Sequence, residues 1–366
     1  MIRIGFDGRA LVSPAAGVRR YVRELFGAMA RLDGVAVVAV GAPSGADVPR
    51  GVERAAGAPS LPTNGGWMLT GLPVAARRAR LELFHAPSYT SPLAGPRPLV
   101  LTIHDVSYER HPEWYPYRRD PVRRAFYRWS AHAADRVITD SAFSRDEMVT
   151  AYGLAPERID VVPLAASPVF VPAPSGVPDG SVHPFILHVG DLHPRRNVET
   201  ALRGLMRVRS RRPDLAGTRL VLAGVDRGAA GSLEAVAAGT SHGSTPLEIL
   251  GRTTEKDLIA LYRSARALVY PSLYEGFGLP LLEAMACGTP VIAARTSSIP
   301  EVTGDAARLV EPHDEAAWAD AIESVFDSYS AAGLRESGLA RAAQFTWRRT
   351  AVETLAAYRR ALGAQA

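Results

Sequence analysis

Two glutamates, Glu275 and Glu283, stand eight positions apart in the stretch Tyr-Glu-Gly-Phe-Gly-Leu-Pro-Leu-Leu-Glu that begins at Tyr274. Carboxylates accept hydrogen bonds from hydroxyl groups, so this pair suits the binding of a sugar. Gly276 and Gly278 allow the backbone to approach a ligand closely, and the free amides at the start of the following helix attract an anion. The combination predicts a site for a phosphorylated sugar, such as a nucleotide sugar.

The elements around this stretch are predicted to be a strand, a glycine loop and a helix. Residues 267–272 form a short apolar run that is typical of a buried parallel strand. Pro280 sets the backbone dihedral for the first helical turn, and Gly288 occupies the usual glycine place just past a helix end. The two glutamates are therefore expected at the carboxyl end of a strand, one in the loop and one a turn into the helix.

A second motif, Gly-Asp-Leu-His-Pro-Arg-Arg-Asn at residues 190–197, follows another predicted strand and opens another helix. Side chains at the carboxyl ends of parallel strands project toward the ligand crevice, so Arg195 and Arg196 are placed to meet phosphate. Arg196 is the stronger candidate. Arg195 is equally well explained as a solvated residue at a helix start.

His104 and Asp105 end the run Leu-Val-Leu-Thr-Ile-His-Asp, which predicts a strand over residues 99–104 with polar side chains at its end. Taken alone, a histidine in this position is more often a hydrogen-bonded structural group than a catalytic one. Asp105 is a candidate either to orient His104 or to contact substrate, although neighbouring side chains on a strand point to opposite faces.

The Glu-x7-Glu spacing with Gly-Phe-Gly-Leu-Pro inside it resembles the donor-site signature of the retaining glycosyltransferases of family 4, which have the GT-B fold. The resemblance extends from the first predicted strand to the last predicted helix. It implies an α/β protein of two Rossmann-like parallel-sheet domains facing across a cleft. The nucleotide-sugar donor is then expected mostly in the second domain and the acceptor in the first.

The resemblance also implies roles for individual residues. Glu275, Arg196 and His104 are expected to act in catalysis, with His104 near the reacting centre of the donor sugar. The expected donor-binding residues are Gly17, Val18, Arg195, Gly251, Arg252, Thr253, Gly276, Phe277, Gly278, Leu279 and Glu283. Within this set, the loop around Gly17 is expected to meet the diphosphate, and residues 251–253 to meet the base.

The sequence departs from the family pattern at two positions. The family usually has lysine where Arg196 stands, and some members have arginine where Asp191 stands. Lys256 is the only lysine beside 41 arginines, so we interpret Arg196 as the functional substitute, although a guanidinium and an ammonium differ in geometry. Asp191 places a second phosphate contact in doubt.

Alternating apolar runs and amphipathic helices predict a parallel sheet in each half of the chain. The strands predicted in the first half are residues 2–6, 35–40, 83–85, 99–104, 136–139 and 159–162. Those predicted in the second half are residues 185–189, 220–223, 249–250, 267–270, 291–293 and 307–310.

Length and composition predict two globular domains. A chain of 366 residues is too long for one typical domain, and 47% apolar with 22% charged residues is the composition of a globular protein. The proline-rich residues 163–184 are predicted to be the linker. We place the domains at residues 1–172 and 173–346, with the last helix, residues 347–366, packing back on the first domain as the resemblance implies.

Several classes of protein are disfavoured. The single cysteine, Cys287, rules out an intrachain disulfide and a cysteine-based zinc site. The sequence has no Asp-x-Asp dyad, so we expect a metal-independent enzyme without a cofactor. The third glycine of a dinucleotide fingerprint is missing after Gly278, which removes the main support for hydride transfer. A net charge of +5 is too small for a nucleic-acid-binding surface.

The location of the protein is predicted from its ends and its charge. The chain begins with a predicted strand and has no apolar run of membrane-spanning length, so we expect a cytoplasmic protein. Residues 1–172 hold the whole basic excess, 21 arginines against 16 acidic residues, and residues 115–129 mix aromatic side chains with arginines. Peripheral contact of the first domain with the inner membrane face is one explanation of this pattern. An ordinary solvated helix surface explains it slightly better.

These observations predict a retaining glycosyltransferase, most like bacterial mannosyl- or rhamnosyltransferases. It would move a hexose or deoxyhexose, with GDP-mannose as the first candidate donor, to a hydroxyl of a saccharide, lipid-linked or small-molecule natural-product acceptor. Two alternatives stay open: a nucleotide-sugar epimerase or hydrolase on the same fold, and a non-catalytic nucleotide-sugar-binding protein. Incubating the donor without acceptor distinguishes an epimerase or hydrolase from a transferase. Tight binding of the donor without turnover indicates a non-catalytic binding protein.

Overall fold

The structure, a computed structural model, describes residues 1–60, 63–92, 94–115, 120–174, 184–239 and 245–363, with Asn64 described by its backbone alone. Part of the predicted linker, residues 175–183, and the last positions predicted for the closing helix, residues 364–366, lie outside the described residues. The chain divides into two compact units. Unit 1 comprises Met1–Ala165 and Phe345–Ala366, and unit 2 comprises Ala166–Gln344.

The described sheet of unit 1 has seven strands, each parallel to its neighbours, in the order β3-β2-β1-β4-β5-β6-β7. The strands are β1 (Ile2–Asp7), β2 (Val35–Val40), β3 (Glu53–Ala55), β4 (Leu83–Ala86), β5 (Leu99–Thr102), β6 (Arg136–Thr139) and β7 (Ile159–Val161). The central strands β4 and β5 are buried at every position. Such continuous burial is expected of a parallel sheet covered by helices on both faces.

The helices before the unit boundary connect these strands. They are α1 (Ala16–Met29), α2 (Asn64–Gly66), α3 (Leu72–Arg78), α4 (Ser107–Arg110), α5 (Pro121–Ala133) and α6 (Ala142–Tyr152), with a π-helical segment at Trp67–Gly71 and 3-10 turns at Gly8–Val12, Pro112–Trp114 and Pro156–Arg158. Side-chain caps fix where two of them begin. Asp120 accepts a hydrogen bond from the Arg123 amide at the start of α5, and Ser141 accepts one from the Ser144 amide at the start of α6.

The strand order of unit 1 reverses between β1 and β4, because β2 lies on the other side of β1. Open parallel sheets bind ligands beyond the carboxyl ends of their strands at such a reversal, where two neighbouring loops diverge. The loops that follow β1 and β4 are therefore the expected ligand-binding place in unit 1.

Unit 2 repeats this arrangement with six described parallel strands in the order β10-β9-β8-β11-β12-β13. The strands are β8 (Phe185–Val189), β9 (Arg219–Ala223), β10 (Leu247–Gly251), β11 (Ala267–Tyr270), β12 (Val291–Ala294) and β13 (Arg308–Val310). The order reverses between β8 and β11. The loops after these two strands carry the residues 190–197 and the glutamate motif singled out in the sequence.

The helices of unit 2 lie between and after its strands. They are α7 (Val198–Arg211), α8 (Ala230–Ala238), α9 (Glu255–Ser264), α10 (Leu279–Ala286), α11 (Ile299–Thr303), α12 (Glu315–Ser324) and α13 (Ser328–Ala342), with 3-10 turns at Pro194–Arg196, Pro213–Leu215 and Gly304–Ala306. The chain then ends with α14 (Trp347–Ala361), which belongs to unit 1. No helix in the described part of the chain is both long and apolar enough to cross a membrane.

The twelve predicted strands are all present, and two details differ from the prediction. β3 was not predicted, because its three residues Glu-Arg-Ala form a short edge strand without an apolar run. The prediction that a strand continues to His104 is wrong, since β5 ends at Thr102. His104 and Asp105 therefore lie in the loop after β5, where side chains no longer alternate between the faces of a sheet.

Helix α14 joins the core of unit 1 through a buried polar chain. The hydroxyl of Tyr358 lies 2.5 Å from Nδ1 of His85, and Nε2 of His85 lies 2.7 Å from Oγ1 of Thr102. Burial lowers the pKa of His85 to about 3, so its ring is neutral. A neutral imidazole offers one donor and one acceptor, and both are used here.

Replacing Tyr358 with phenylalanine is expected to reduce the free energy of unfolding by about 1–3 kcal/mol, because Nδ1 of buried His85 then loses its partner. Urea unfolding of the full chain measures this difference. Tyr329→Phe is a matched control, since the side chain of Tyr329 is 89% exposed. Equal stability of the two variants would show that the hydrogen bond contributes nothing.

Candidate active site

The polar residues of unit 2 meet at the strand reversal between β8 and β11. Arg196 belongs to the 3-10 turn after β8, Tyr270 is the last residue of β11, and Ser272 and Glu275 follow it. Nη1 of Arg196 donates to the Tyr270 hydroxyl at 2.7 Å and to Oγ of Ser272 at 3.3 Å. The same guanidinium forms an ion pair with the carboxylate of Glu275. Two of the three predicted catalytic residues are therefore in direct contact.

This ion pair is largely removed from water, since the side chains of Arg196 and Glu275 are 13% and 7% exposed. Burial lowers the pKa of Arg196. The pKa of His188 is lowered to about 3, mainly because the ring is buried and secondly because of the charge of Arg196. His188 is therefore neutral, donates from Nδ1 to the Val269 carbonyl at 3.1 Å, and leaves Arg196 as the cation of this cluster.

The glycine loop that begins at Glu275 is held by two serines after β12. The amide of Glu275 donates to Oγ of Ser297 at 3.0 Å, and Oγ of Ser298 donates to the carbonyls of Glu275 and Phe277 at 2.9 and 3.1 Å. Ser297 adopts a φ of +52°, a strained conformation for serine. Sequence reasoning missed both serines, although they follow a predicted strand that ends at the same edge of the sheet.

Glu283 lies in the second turn of α10 and is buried. The hydroxyl of Tyr262 donates to its Oε2 at 3.0 Å, which fixes the carboxylate in place. Gly278 precedes the helix with a φ of +102°, a conformation that favours glycine. Leu279 then begins α10, so the loop and helix start have the geometry predicted for Gly276, Gly278 and Leu279.

The loop that carries Arg196 is tied to β11 by its neighbours. Asn197, with a φ of +51°, donates from Nδ2 to the carbonyls of Pro312 at 2.7 Å and Pro271 at 3.3 Å. The Leu273 amide donates to the Arg195 carbonyl at 2.8 Å. Arg195 thus contributes its backbone to the loop, while its predicted role in donor binding stays a prediction.

Asp191 is neutralised by a residue that the sequence analysis did not single out. Nε of Arg227, in the loop after β9, lies 3.0 Å from Oδ2 of Asp191, and the Val225 amide donates to Oδ1 at 3.3 Å. Both charged side chains are about half exposed, so this pair contributes little stability. It nevertheless places an arginine beside the position where some members of the resembled family have one.

Gly251 ends β10 and residues 252–253 follow it, two strands away from β8 at the same edge of the sheet. Gly251 has a φ of +68° beside a break in the strand register, and Arg252 is exposed. Thr254 then caps α9 by accepting from the Asp257 amide at 3.2 Å. The structure thus places Gly251, Arg252 and Thr253 at the carboxyl end of β10, and their predicted contact with the base stays a prediction.

Replacing Gly224 with alanine is expected to disturb the loop that carries Arg196. A Cβ at Gly224 would overlap the carbonyl group of Gly190, which is backbone and must move. We expect a loss of about 1–3 kcal/mol in the free energy of unfolding and weaker binding of the donor. Gly231→Ala, where a new Cβ meets nothing within 4 Å, is the control. Thermal unfolding of both variants measures the difference in stability. Equal unfolding midpoints would contradict the tight packing at Gly224.

In unit 1, His104 pairs with Asp140 in the loop after β6. Nδ1 of His104 donates to Oδ2 of Asp140 at 2.8 Å, and both side chains are largely buried. Burial disfavours the charged ring, but the Asp140 carboxylate outweighs it, so the pKa of His104 is raised. The Pro87 backbone also favours the protonated ring, yet Nε2 forms no regular hydrogen bond with the described residues.

The hydrogen-bond partner of His104 is Asp140 and not its neighbour Asp105, which the sequence offered as one candidate. Asp105 turns back onto α4, where its Oδ1 accepts from the Ser107 amide at 2.9 Å and from the Ser107 hydroxyl at 2.6 Å. Asp140, which lies 36 residues after His104 in the sequence, is the carboxylate that hydrogen-bonds the His104 ring. Because β5 and β6 are adjacent parallel strands, the loops after them bring His104 and Asp140 together.

A cavity of about 660 Å³ opens at the strand reversal of unit 1. Its polar wall comes from the loops after β1 and β4, including Asp7, Arg9 and Ser88. Its apolar wall includes Met68, Leu72, Val122, Phe126 and Tyr127, the last three from α5. Arg9 is paired with Asp7 at 2.7 Å and lies over the ring of Trp67. The cavity therefore combines an apolar side with a charged side.

The predicted donor-binding residues Gly17 and Val18 lie in the first turn of α1, which begins at Ala16 instead of at Val18. Val18 lines the cavity. Gly17 is exposed, and a Cβ added at this position would have no atom within 4 Å. Neither Ala15 nor a nearby described side chain caps the amides of this turn. The role of these amides in binding an anion stays a prediction.

Two sequence profiles of known families match the chain. The profile described as Glycosyltransferase Family 4 matches residues 15–168, and the profile described as Glycosyl transferases group 1 matches residues 183–328. Together the two matches span most of both units.

Individual relatives agree with these profiles. The O-antigen chain mannosyltransferase B of Escherichia coli is 33% identical over 291 residues, covering 76% of this chain and 74% of that protein. A D-inositol 3-phosphate glycosyltransferase of Acidothermus cellulolyticus is 35% identical over 247 residues, covering 63% of this chain and 54% of that protein. Among solved structures, a sucrose-phosphate synthase from Thermosynechococcus elongatus matches with a TM-score of 0.76 at 21% identity, covering 100% of both chains.

Proposed function

Because the chain belongs to glycosyltransferase family 4 and has the GT-B fold, we propose that it transfers a hexose or deoxyhexose from a nucleotide diphosphate sugar to a hydroxyl group. In this reaction the bond between the anomeric carbon and the diphosphate breaks, and the nucleoside diphosphate leaves with the bonding electron pair. A bond to the acceptor oxygen forms as the hydroxyl proton passes to the leaving diphosphate. The proposed transfer retains the anomeric configuration and needs no metal ion.

The observation that carries this proposal is the buried contact between Arg196 and Glu275 at the strand reversal of unit 2. Arg196 is held by Tyr270 and Ser272, so its charge is fixed before a substrate arrives. A preorganised cation in a site that excludes water stabilises the negative charge that develops on a departing diphosphate. The amides of Gly278 and Leu279 at the start of α10 add to that stabilisation.

The two glutamates supply the sugar-binding part of the donor site. In the proposal, Glu275 and Glu283 accept hydrogen bonds from hydroxyls of the nucleotide sugar, as their fixed carboxylates are suited to do. Glu275 is anchored through its backbone to Ser297 and Ser298, and Glu283 through its carboxylate to Tyr262. Residues 251–253 are proposed to meet the base. GDP-mannose is the first donor to test, because the relative from Escherichia coli is a mannosyltransferase.

The cavity of unit 1 supports the acceptor half of the proposal. It has the charged group of Asp7 and Arg9 on one side and the apolar side chains of α5 on the other. This combination suits an acceptor that carries a saccharide and an apolar portion, such as a lipid-linked sugar or a natural-product glycoside. His104, with its buried Nε2, is proposed to act at the donor sugar near the reacting centre.

Helix α5 supports a peripheral contact with a lipid surface, which we propose as a route to a lipid-linked acceptor. Val122 and Trp129 are 76% and 39% exposed on this helix, beside the exposed Arg123 and Arg128. Exposed apolar and basic side chains on one helix suit an anionic bilayer. Residues 116–119, part of the predicted aromatic and basic segment, lie outside the described residues. Flotation with vesicles of anionic phospholipid tests the contact, and loss of it in Trp129→Ala is expected.

A thermal-unfolding screen with GDP-, UDP-, dTDP- and ADP-sugars tests donor binding without an acceptor. A donor present at about 100 times its Kd stabilises the protein by about 2.7 kcal/mol, so the true donor class should raise the midpoint clearly. The shift should vanish in Arg196→Ala and persist in Arg207→Ala, since Arg207 is an exposed arginine of α7 paired with Glu315. No shift with any donor would contradict the proposal.

The same donors, incubated without acceptor, separate the transferase from its alternatives. A transferase should leave most of the donor intact, whereas an epimerase would form a new sugar and a hydrolase would release free sugar rapidly. A protein that binds tightly and shows no turnover with a broad panel of acceptors would be a binding protein.

A further inference from the structure

Tyr21 of helix α1 packs directly against the proposed catalytic histidine. The rings of Tyr21 and His104 meet edge to face, with their centroids 4.8 Å apart and an interplanar angle of 88°. Aromatic rings attract each other in this arrangement, because the positive edge of one ring faces the negative face of the other. Tyr21 lies in the turn of α1 that follows Val18, at the end of the sequence motif that begins at Gly17.

The ring of Tyr21 is itself held in one orientation. The residue is fully buried, and its hydroxyl lies 2.8 Å from Oγ1 of Thr102, the last residue of β5. The same threonine oxygen lies 2.7 Å from Nε2 of His85. Tyr21 therefore extends the buried polar chain that holds helix α14. Burial raises the pKa of Tyr21, so its hydroxyl stays protonated and can keep this hydrogen bond.

The ring of His104 needs such a contact to keep one orientation. Its Nδ1 donates to Asp140, but a single hydrogen bond fixes one atom of a ring and still allows the ring plane to turn about that atom. The rings of Tyr21 and Tyr89 pack against the imidazole at 4.8 and 6.0 Å between centroids. These contacts restrict the plane and therefore the direction of Nε2, which forms no regular hydrogen bond with the described residues.

We propose that Tyr21 is a positioning residue, which fixes the ring plane of His104 so that Nε2 keeps one direction at the reacting centre. This inference rests on the proposed transferase function and deepens it, because Tyr21 acts on the reaction only through His104. It also gives the motif at residues 17–21 a second role. The first turn of α1 is proposed to meet the diphosphate, and the next turn carries the tyrosine that holds the histidine.

Hydrogen exchange of the His104 ring tests the contact without a substrate. In protein that carries isotope-labelled histidine, the Nδ1–H signal of His104 is assigned by NMR from its loss in His104→Gln. Exchange of this proton with water requires the ring to leave Asp140, so Tyr21→Leu should speed the exchange by about tenfold or more. Tyr21→Phe keeps the ring and should change the rate by less than about threefold. Unchanged exchange in Tyr21→Leu would overturn the proposal.

Sugar transfer by the same variants tests whether the orientation matters for the reaction. With GDP-mannose as donor and octyl α-D-mannopyranoside as acceptor, kcat of Tyr21→Leu should fall by about tenfold or more, because a misplaced catalytic group is costly. The KM for GDP-mannose should change by less than about threefold, since the proposed donor residues Arg196 and Glu275 belong to unit 2. Tyr21→Phe should keep most of the activity. Faster ring exchange with an unchanged kcat would overturn the role in transfer.

Phe26→Leu is the matched control for the loss of a buried aromatic ring from α1. Phe26 is fully buried and stacks on Phe6, with the ring centroids 3.8 Å apart. Its replacement should lower the unfolding midpoint as Tyr21→Leu does, but leave the exchange of His104 and kcat unchanged. Equal effects of the two variants on ring exchange and kcat would indicate a general loosening of α1 and overturn the proposal.

Two further arms keep the inference falsifiable. If Tyr21→Leu does not fold, Tyr21→Met provides the same comparison, because methionine is flexible and fills irregular gaps in a core. If the wild type does not turn over GDP-mannose, the proposed donor is rejected, and the exchange rates alone decide whether Tyr21 holds the ring of His104. Faster exchange in Tyr21→Leu than in Phe26→Leu would then support the contact, and equal rates would overturn it.

Discussion

Replacing Glu275 with glutamine is expected to lower kcat for sugar transfer by at least about a hundredfold, because the variant loses the charged acceptor of the donor-site hydroxyls and the partner of Arg196. The ligand-free protein should also lose about 3–5 kcal/mol of stability, since Arg196 stays buried without its counter-ion. Initial rates and thermal unfolding measure the two effects. Glu199→Gln, at an exposed glutamate of α7, is the matched control.

Substitutions of Arg196, the partner of Glu275, should also lower the rate of sugar transfer. Arg196→Ala should abolish transfer, whereas Arg196→Lys should keep a fraction of it, because lysine keeps the charge but cannot reproduce the hydrogen bonds to both Tyr270 and Ser272. Near-normal transfer by Glu275→Gln or Arg196→Ala would remove that residue from the site. A loss of stability with full activity would identify the pair as structural only.

Replacing Asp140 with asparagine is expected to reverse the pH dependence of stability that His104 provides. In the wild type the pKa of His104 is raised, so the stabilisation is fully present below the ordinary histidine pKa of about 6.5 and is lost as pH rises through the raised value. Without the carboxylate, burial lowers the pKa of His104, and the variant loses stability as pH falls below about 6.5. Unfolding midpoints from pH 5 to 9 measure both slopes.

The same substitution should lower transfer by about a hundredfold, since His104 loses the partner that orients its ring. Asp105→Asn is the control for local charge, because Asp105 hydrogen-bonds Ser107 and its charge raises the pKa of His104 less than that of Asp140 does. It should leave the sign of the pH dependence unchanged. Identical pH profiles in the wild type and in Asp140→Asn would show that the buried pair does not set the pKa of His104.

Much of the fold was predictable because buried parallel strands are marked by local signals. Apolar runs such as those predicted at residues 99–104 and 291–293, each followed by polar loops and amphipathic helices, indicated all the central strands. The predicted family and the GT-B fold are confirmed by the family profiles, the Escherichia coli relative and the structural neighbour. The edge strand β3 lacked such a signal, because three polar or small residues at a sheet edge need no apolar face.

The site was predictable only where its residues lie in one motif. Glu275, Gly278 and Arg196 could be proposed as site residues from their motifs and the family resemblance, since each motif follows its own strand. Their partners come from distant segments: Asp140 reaches His104 through adjacent strands, and Ser297 reaches Glu275 through the loop after β12. Such contacts depend on which strands are neighbours, and the sequence of one chain does not specify strand order.

The cavity wall formed by α5 illustrates the same limit. The aromatic and basic pattern around Phe126 and Trp129 was visible in the sequence, but its meaning depends on which side chains turn toward the loops after β1 and β4. In the structure, Phe126 and Tyr127 line the cavity, Trp129 is partly exposed, and Val122 lies at the cavity with most of its side chain exposed. Helical periodicity alone does not distinguish a ligand-binding face from an ordinary solvated one.

A crystal structure with GDP-mannose bound is the most direct test of the donor site. The account predicts the diphosphate within about 3 Å of the Arg196 guanidinium or of the amides that start α10, and a sugar hydroxyl at the same distance from the Glu275 carboxylate. GDP-mannose bound elsewhere, or bound with Glu275 and Arg196 still paired to each other and turned away from it, would contradict the account.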